Sequence, residues 1–127
     1  RTAVAASGFT TSALTATLIT DLRHQNVIVD GHQTVLMIFS GTPSLDGADD
    51  ELNLSFYRDS TELKEFSGNL HVVNSAIPIT LAYLDVAPAA GNYTYEMRAR
   101  GADTVNPDPV LTVPNGTRLQ LMIFPTI

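Results

Sequence analysis

The chain has 127 residues, of which 44% are hydrophobic and 16% charged, so it can bury a core of its own and is too apolar to be disordered. Its 13 acidic residues against 7 Lys and Arg leave a net charge of −6 without a basic stripe, which excludes nucleic acid as a partner. The apolar runs are far shorter than the roughly 20 residues that cross a bilayer, so we expect no membrane insertion.

Residues 1–127 are predicted to form a single domain. There is no cysteine, which excludes disulfides and thiolate metal sites. Because the chain begins with Arg1 rather than Met, we expect it to have been processed or cut from a longer chain.

Short segments rich in Val, Ile, Thr, Tyr and Phe recur between clusters of Gly, Pro, Asn and Asp, with almost no helical periodicity. This pattern predicts about eight antiparallel strands. A short helical turn is predicted at residues 21–25, and exposed loops at 41–50, 85–91 and 101–109. In chain order, the strand candidates are residues 2–6, 13–19, 26–30, 34–40, 51–58, 63–66, 70–73, 77–83, 92–100, 110–113 and 117–124.

Two glycine turns predict hairpins. Asp30-Gly31 suits a tight turn because Gly accepts a positive φ, and it would pair residues 26–30 with 34–40. Pro114-Asn115-Gly116 would pair residues 110–113 with 117–124 in the same way. Gly68-Asn69 is predicted to separate two short strands.

Two strands are apolar on both faces. Residues 35–39 are entirely apolar, and in 119–124 only Gln120 interrupts. A two-layer sandwich covers one face of each strand with its own core, so the other face needs a second cover, such as a neighbouring subunit. The candidate residues for an oligomer interface are Met37, Tyr93, Tyr95 and Met122.

The irregularly spaced strands and long loops favour an all-β fold, an antiparallel β-sandwich of the jelly-roll type. An immunoglobulin-like sandwich is the alternative. It has less support, because the sequence contains neither Trp nor a Cys pair.

Four segments resemble, in order, the small jelly-roll domains on bacteriophage virions: the Thr/Ser-rich opening, residues 35–41, residues 83–95 with the sequence PAAGNYTY, and residues 118–124. The resemblance implies a shape similar to tumour-necrosis-factor and C1q heads, and assembly as a homotrimer. It also implies a role on the virion surface as a capsid decoration, head fibre or receptor-binding tip, with other capsid or fibre proteins as partners. It marks no catalytic or ligand-contacting residue in this chain.

No catalytic constellation is present in the sequence. His24, His32 and His71 lack the paired spacing of metal ligands. Neither Ser40-Gly41 nor Ser67-Gly68 has a Gly two residues before the serine, so a nucleophile elbow is absent. The sequence therefore predicts a protein that is not an enzyme.

One loop concentrates acidic residues, with Asp46, Asp49, Asp50 and Glu51 within six positions. Hard cations such as calcium favour carboxylate ligands, but the order of residues is not that of an EF-hand. We favour a solvated acidic loop over a metal site, and expect no cofactor.

A carbohydrate-binding β-sandwich is the alternative function. Tyr93 and Tyr95 could stack on a sugar, which makes a cell-surface glycan a further candidate partner. Such modules usually expose several aromatic rings, often Trp, whereas this chain has no Trp and only 7% aromatic residues. We rank a core or interface position for both tyrosines above sugar stacking.

Overall fold

Strands make up nearly all the regular structure that the computed structural model describes, which covers residues 1–5, 8–11, 15–45, 50–70, 77–100 and 111–126. Within this part of the chain no helix could cross a membrane. The strands are β1 (Thr2–Val4), β2 (Phe9–Thr11), β3 (Thr17–Val29), β4 (Gln33–Gly41), β5 (Ser44–Leu45), β6 (Asp50–Arg58), β7 (Thr61–Leu70), β8 (Ile79–Asp85), β9 (Gly91–Arg100), β10 (Leu111–Val113) and β11 (Arg118–Pro125).

The strands form three antiparallel sheets. The first sheet has the order β1-β11-β4-β8, the second sheet β3-β9-β6-β7, and a short sheet β2-β10-β5. Most connections leave one sheet and enter another, and in the described part of the chain only β6 and β7 are both consecutive and paired. This arrangement confirms the predicted β-sandwich of the jelly-roll type.

The core lies between the two four-stranded sheets. Along β4, Val35, Met37 and Phe39 point inward and are fully buried, as period-2 alternation requires. The facing strands β6 and β9 contribute Phe56 and Met97. The short sheet joins the same core through further buried side chains, Leu45, Leu111 and Val113.

The predicted helical turn at residues 21–25 is wrong, because these residues lie inside β3. Asp21 and Asn26 have positive φ angles, 69° and 57°, and the β3–β9 register shifts beside each of them. Such irregularities insert an extra residue into one strand of a pair. The buried positions from Ile19 to Leu22 and from His24 to Val27 are therefore three apart, which imitates helical spacing in the sequence.

Both predicted glycine hairpins are also wrong. Gly31 and Gly116 have the expected positive φ, 88° and 83°, but each turn carries the chain from one sheet to another. β3 pairs with β9 while β4 pairs with β11 and β8. β10 lies in the short sheet and β11 in the first sheet. The turn residues specify only a local change of direction. Such a turn can connect two paired strands of a hairpin or two strands that lie in different sheets.

Several boundaries also differ from the prediction. β7 runs through Gly68-Asn69 without a break, and β5 lies within the predicted loop at 41–50. The loop predicted at 85–91 is present but shorter, spanning residues 86–90, since β8 includes Asp85 and β9 begins at Gly91. Residues 6, 13–14, 46–49, 71–73 and 101–110 of the predicted elements lie outside the described residues.

Candidate functional site

The outer side of the first sheet carries an exposed apolar surface. Met122 is 56% exposed, Leu84 48% and Phe124 38%. Leu36 and Ile38 beside them are half-buried and Ala82 is exposed. We call this surface the apolar face and define it by Leu36, Ile38, Ala82, Leu84, Met122 and Phe124.

The register of three neighbouring strands builds the apolar face. Met122 on β11 lies opposite Leu36 on β4, and Leu36 lies opposite Leu84 on β8. The next row toward the other end of the sheet is Gln120, Ile38 and Ala82. Residues opposite each other in paired strands share a face, so the two rows form one continuous patch on the side away from the core.

The apolar face is free of acidic side chains. The row beyond it consists of Arg118, Ser40 and Thr80, so the charge in this row is positive. The chain as a whole carries a net charge of −6. The described outer side of the first sheet thus lacks the carboxylates that would make contact with a second copy of this chain repulsive.

The four predicted interface residues separate into different environments. Met122 lies on the apolar face, whereas Met37 and Tyr95 are fully buried in the core, where a second copy cannot reach them. Tyr93 is half-buried, and its hydroxyl donates to the Ala89 carbonyl oxygen at 2.8 Å. The sequence prediction missed Leu84, although Ala82, Leu84 and Val86 form an apolar alternation with period 2.

A buried polar cluster joins the two sheets at one end. Asp85 on β8 accepts two hydrogen bonds from Nη1 of Arg58, at 2.8 and 2.9 Å, and one from the Tyr95 hydroxyl at 2.7 Å. Burial, followed by the hydrogen bond to Asp85, raises the pKa of Tyr95 well above its usual range. Burial alone would lower the pKa of Arg58, but the pair with Asp85 outweighs it and raises that pKa. The cluster links the two sheets through these hydrogen bonds and offers no free nucleophile or base.

The outer side of the second sheet is polar where the first is apolar. Arg100 donates from Nε and Nη2 to the carboxylate of Glu65 at 2.9 and 3.0 Å, and these hydrogen bonds lower the pKa of Glu65. The Arg98 guanidinium lies 4.1 Å from the centroid of the Tyr57 ring. The side-chain amide nitrogen of buried Asn53 has no hydrogen-bond partner. The two outer faces of the sandwich therefore suit different surroundings.

The histidines do not converge on a site. His24 is buried and its Nε2 donates to the Leu119 carbonyl oxygen at 2.8 Å, linking β3 to β11. His32 is exposed, and His71 lies outside the described residues.

Acidification is expected to destabilise the fold through His24. Burial lowers the pKa of His24, so the unfolded chain, with a value near 6.5, binds the proton more readily. Stability is therefore fully present above about pH 6.5 and is lost as the pH falls through the window between the unfolded and the lower folded value. Melting temperatures from pH 7.5 to 5 should fall more steeply for the wild type than for His24→Gln. Parallel curves would contradict this role.

The acidic loop remains a prediction only. Asp46 and Asp49 lie outside the described residues, and Asp50 and Glu51 belong to β6. Within the described ranges, no group of three or more His, Asp or Glu side chains is placed to hold a metal ion. Ser67, which the sequence analysis rejected as a nucleophile, donates from its hydroxyl to Asn53 Oδ1 at 2.6 Å.

We expect the fold to need no metal. Any calcium at the acidic loop would be local to that loop, so a chelator should change the melting temperature little. A ligand that binds only the native state stabilises it by mass action, so a drop of many degrees in the presence of EDTA, restored by excess calcium, would contradict this expectation.

Comparison with known proteins supports the fold. No family model and no curated protein matches the sequence. Among solved structures, the chain is similar to infectious bursal disease virus, Gt strain (TM-score 0.61, 8% identity, 98% of this chain and 33% of that chain). It is also similar to Eiger TNF from S. frugiperda (0.52, 11%, 99% and 93%). A third match is the insecticidal delta-endotoxin Cry8Ea1 from Bacillus thuringiensis (0.56, 11%, 92% and 19%).

The chain spans about a third of the matched virus chain and a fifth of the toxin, but nearly the whole of the Eiger TNF chain. At 8–11% identity these similarities concern the fold alone.

Proposed function

We propose that this chain is a non-catalytic structural and interaction domain of a virus particle surface, such as a phage capsid decoration or fibre-head protein, and that it assembles as a homotrimer. The observation that carries the proposal is the apolar face, where Met122, Leu36 and Leu84 stand in one row on the outside of the first sheet. Contact with a second copy removes this surface from water, which is worth on the order of 25 cal/mol for each Å² before association costs.

Two observations of different kinds support the assignment to a virus particle. The Thr/Ser-rich opening and residues 35–41, 83–95 and 118–124 resemble phage virion domains, and the fold is similar to that of a chain in the infectious bursal disease virus structure. Other capsid or fibre proteins would then be the attachment partners, and the virion surface the location.

The carbohydrate-binding alternative has less geometric support. Tyr95 is fully buried, and the Arg58 guanidinium lies 5.2 Å from the centroid of the half-buried Tyr93 ring. Neither tyrosine offers a free ring on which a sugar could stack.

Solution mass tests the proposal. Light scattering over a range of concentrations should give about three times 13.7 kDa, and Leu84→Glu should give folded monomers. The matched control is Ile28→Glu, since Ile28 is 70% exposed but lies on β3 in the second sheet and should leave the mass unchanged. A wild-type chain that stays monomeric at high concentration, above all one that binds glycans, would overturn the proposal in favour of the carbohydrate-binding alternative.

A further inference from the structure

The exposed turn that joins β10 to β11 contains a chemically reactive pair of residues. Asn115-Gly116 is the one Asn-Gly pair in the sequence, both residues are exposed, and Gly116 has a φ of 83°. The main-chain nitrogen that follows an asparagine can attack the amide of the asparagine side chain. Glycine has no Cβ atom and leaves this approach open, so the turn holds the two groups that spontaneous deamidation requires.

The reaction needs only water as a co-reactant. The main-chain nitrogen of Gly116 forms a bond to Cγ of Asn115, the bond from Cγ to Nδ2 breaks, and ammonia leaves with the proton that the Gly116 nitrogen gives up. Water then opens the cyclic imide. Opening at Cγ gives aspartate, whereas opening at the main-chain carbonyl carbon gives isoaspartate, in which the chain runs through Cβ and Cγ.

The fold holds the attacking nitrogen in a hydrogen bond. The Gly116 N–H donates to the carbonyl oxygen of Ala5 at 2.8 Å, and the Ala5 N–H donates to the carbonyl oxygen of Thr117 at 2.9 Å. The Thr117 hydroxyl closes the same turn by donating to the Pro114 carbonyl oxygen at 2.7 Å. Because the Gly116 nitrogen has to leave Ala5 before it can attack Asn115, the reaction in the folded chain requires the release of Ala5.

Ala5 follows directly after an edge strand. β1 has three residues, lies at the end of the first sheet and pairs with β11. Its Thr2 and Val4 side chains are exposed, and Ala3 is half-buried. Segments with few buried apolar contacts open at a low free energy, without unfolding of the whole domain. Opening of β1 therefore exposes the Gly116 nitrogen while the rest of the sandwich stays folded.

We propose that Asn115 is a site of spontaneous deamidation whose rate is set by the docking of β1. While Ala5 holds the Gly116 N–H, the asparagine persists, and each opening of β1 allows the nitrogen to attack. The isoaspartate product adds one main-chain carbon to the turn, so Gly116 no longer stands opposite Ala5 and β1 stays loose. The turn is thus a one-way chemical switch on β1. It operates within one copy of the chain, independently of the proposed homotrimer.

The rate of deamidation tests the proposal. It is measured on the folded wild type at neutral pH and on the same chain unfolded in urea, by peptide mass spectrometry and by methylation with protein isoaspartate methyltransferase. The folded chain should react about tenfold more slowly or less, since the loss of one hydrogen bond shifts an equilibrium by up to about that factor. Asn115→Gln should remove the signal. A folded wild type that reacts as fast as the unfolded chain, or an unfolded chain in which Asn115 stays intact, overturns the proposal.

Two proline variants of β1 and its neighbour test the role of Ala5. Ala5→Pro removes the N–H that bonds the Thr117 carbonyl oxygen and should raise the rate in the folded chain about tenfold. Thr2→Pro is the matched control. Arg1 and Leu121 exchange both main-chain hydrogen bonds, so the adjoining Thr2 N–H points away from β11 and its loss should leave the rate unchanged. An Ala5→Pro variant that is folded by circular dichroism and reacts at the wild-type rate overturns the proposal.

Hydrogen exchange provides a measurement that needs no variant, and it decides the proposal if Ala5→Pro does not fold. In wild-type protein aged at neutral pH, the molecules with isoaspartate at position 115 should exchange the Ala5 amide hydrogen faster than fresh protein does, because the turn no longer holds β1 in place. Equal exchange at Ala5 in the aged and fresh molecules overturns the switch on β1.

Discussion

Met37→Glu is expected to leave the chain unfolded, whereas Met122→Glu should leave it folded but monomeric. Met37 on β4 is fully buried among the core side chains, while Met122 on β11 is 56% exposed on the apolar face. An unpaired carboxylate in the core costs several kcal/mol, against a total stability of roughly 5–15 kcal/mol for a typical domain. At an exposed position the same carboxylate changes the stability of a single copy by only about 0.5 kcal/mol.

Circular dichroism, urea unfolding and light scattering on the two variants measure both effects at once. The pair is matched, because each variant exchanges the same residue for the same charge in neighbouring strands of one sheet. Native-like unfolding of Met37→Glu would contradict the assignment of faces. Loss of structure in Met122→Glu would contradict the expectation that one copy folds without its neighbours.

The need for a cover on β4 and β11 could be predicted from the sequence, but not which side of each strand needs it. Residues 35–39 and 119–124 are apolar at both odd and even positions, so alternation, the usual signal for a face, is missing. A one-residue change of register exchanges the two faces. The register is set by the pairing of Leu121 with Met37 and of Met122 with Leu36. This pairing joins residues far apart in the chain, so a local pattern does not reveal it.

The errors in the fold prediction also arise because strand pairing joins residues far apart in the chain. The tight turn at Gly31 was recognised, but its partner strands were not, because strand pairing depends on the whole jelly roll. The bulges at Asp21 and Asn26 changed the spacing of buried residues in β3 from two to three, and periodicity alone then indicates a helix. The elements whose alternation is regular, such as β6 and β9, were predicted within one residue of their observed bounds.

The buried role of Asp85 could not be predicted from the sequence, for a different reason. It was assigned to the start of a loop, yet it is buried at the end of β8 with Arg58 and Tyr95 as partners. Nothing in the spacing of residues 58, 85 and 95 marks them as a cluster. A buried carboxylate always needs partners, but only the packing of the two sheets shows which ones it has.

Asp85→Ala is expected to destabilise the fold by about 3 kcal/mol. Removing one partner of a buried ion pair typically costs about 3–5 kcal/mol, because the remaining charge is left uncompensated. Here the Arg58 side chain is 25% exposed, which places the cost at the lower end. The fully buried Tyr95 hydroxyl also loses its acceptor. Urea unfolding should show a lower midpoint with an unchanged dependence on denaturant.

A second variant separates the loss of the contact from the penalty of stranded polar groups. In Arg58→Met/Asp85→Leu/Tyr95→Phe all three polar groups are replaced by apolar groups of similar size, a kind of exchange that is often neutral or stabilising. The triple variant should therefore unfold at a urea concentration close to that of the wild type, although it lacks every hydrogen bond of the cluster. If it is as unstable as Asp85→Ala, the hydrogen bonds themselves hold the two sheets together at this end. If it matches the wild type, apolar packing between the sheets is sufficient there, and the cluster matters because its groups must not be left unpaired.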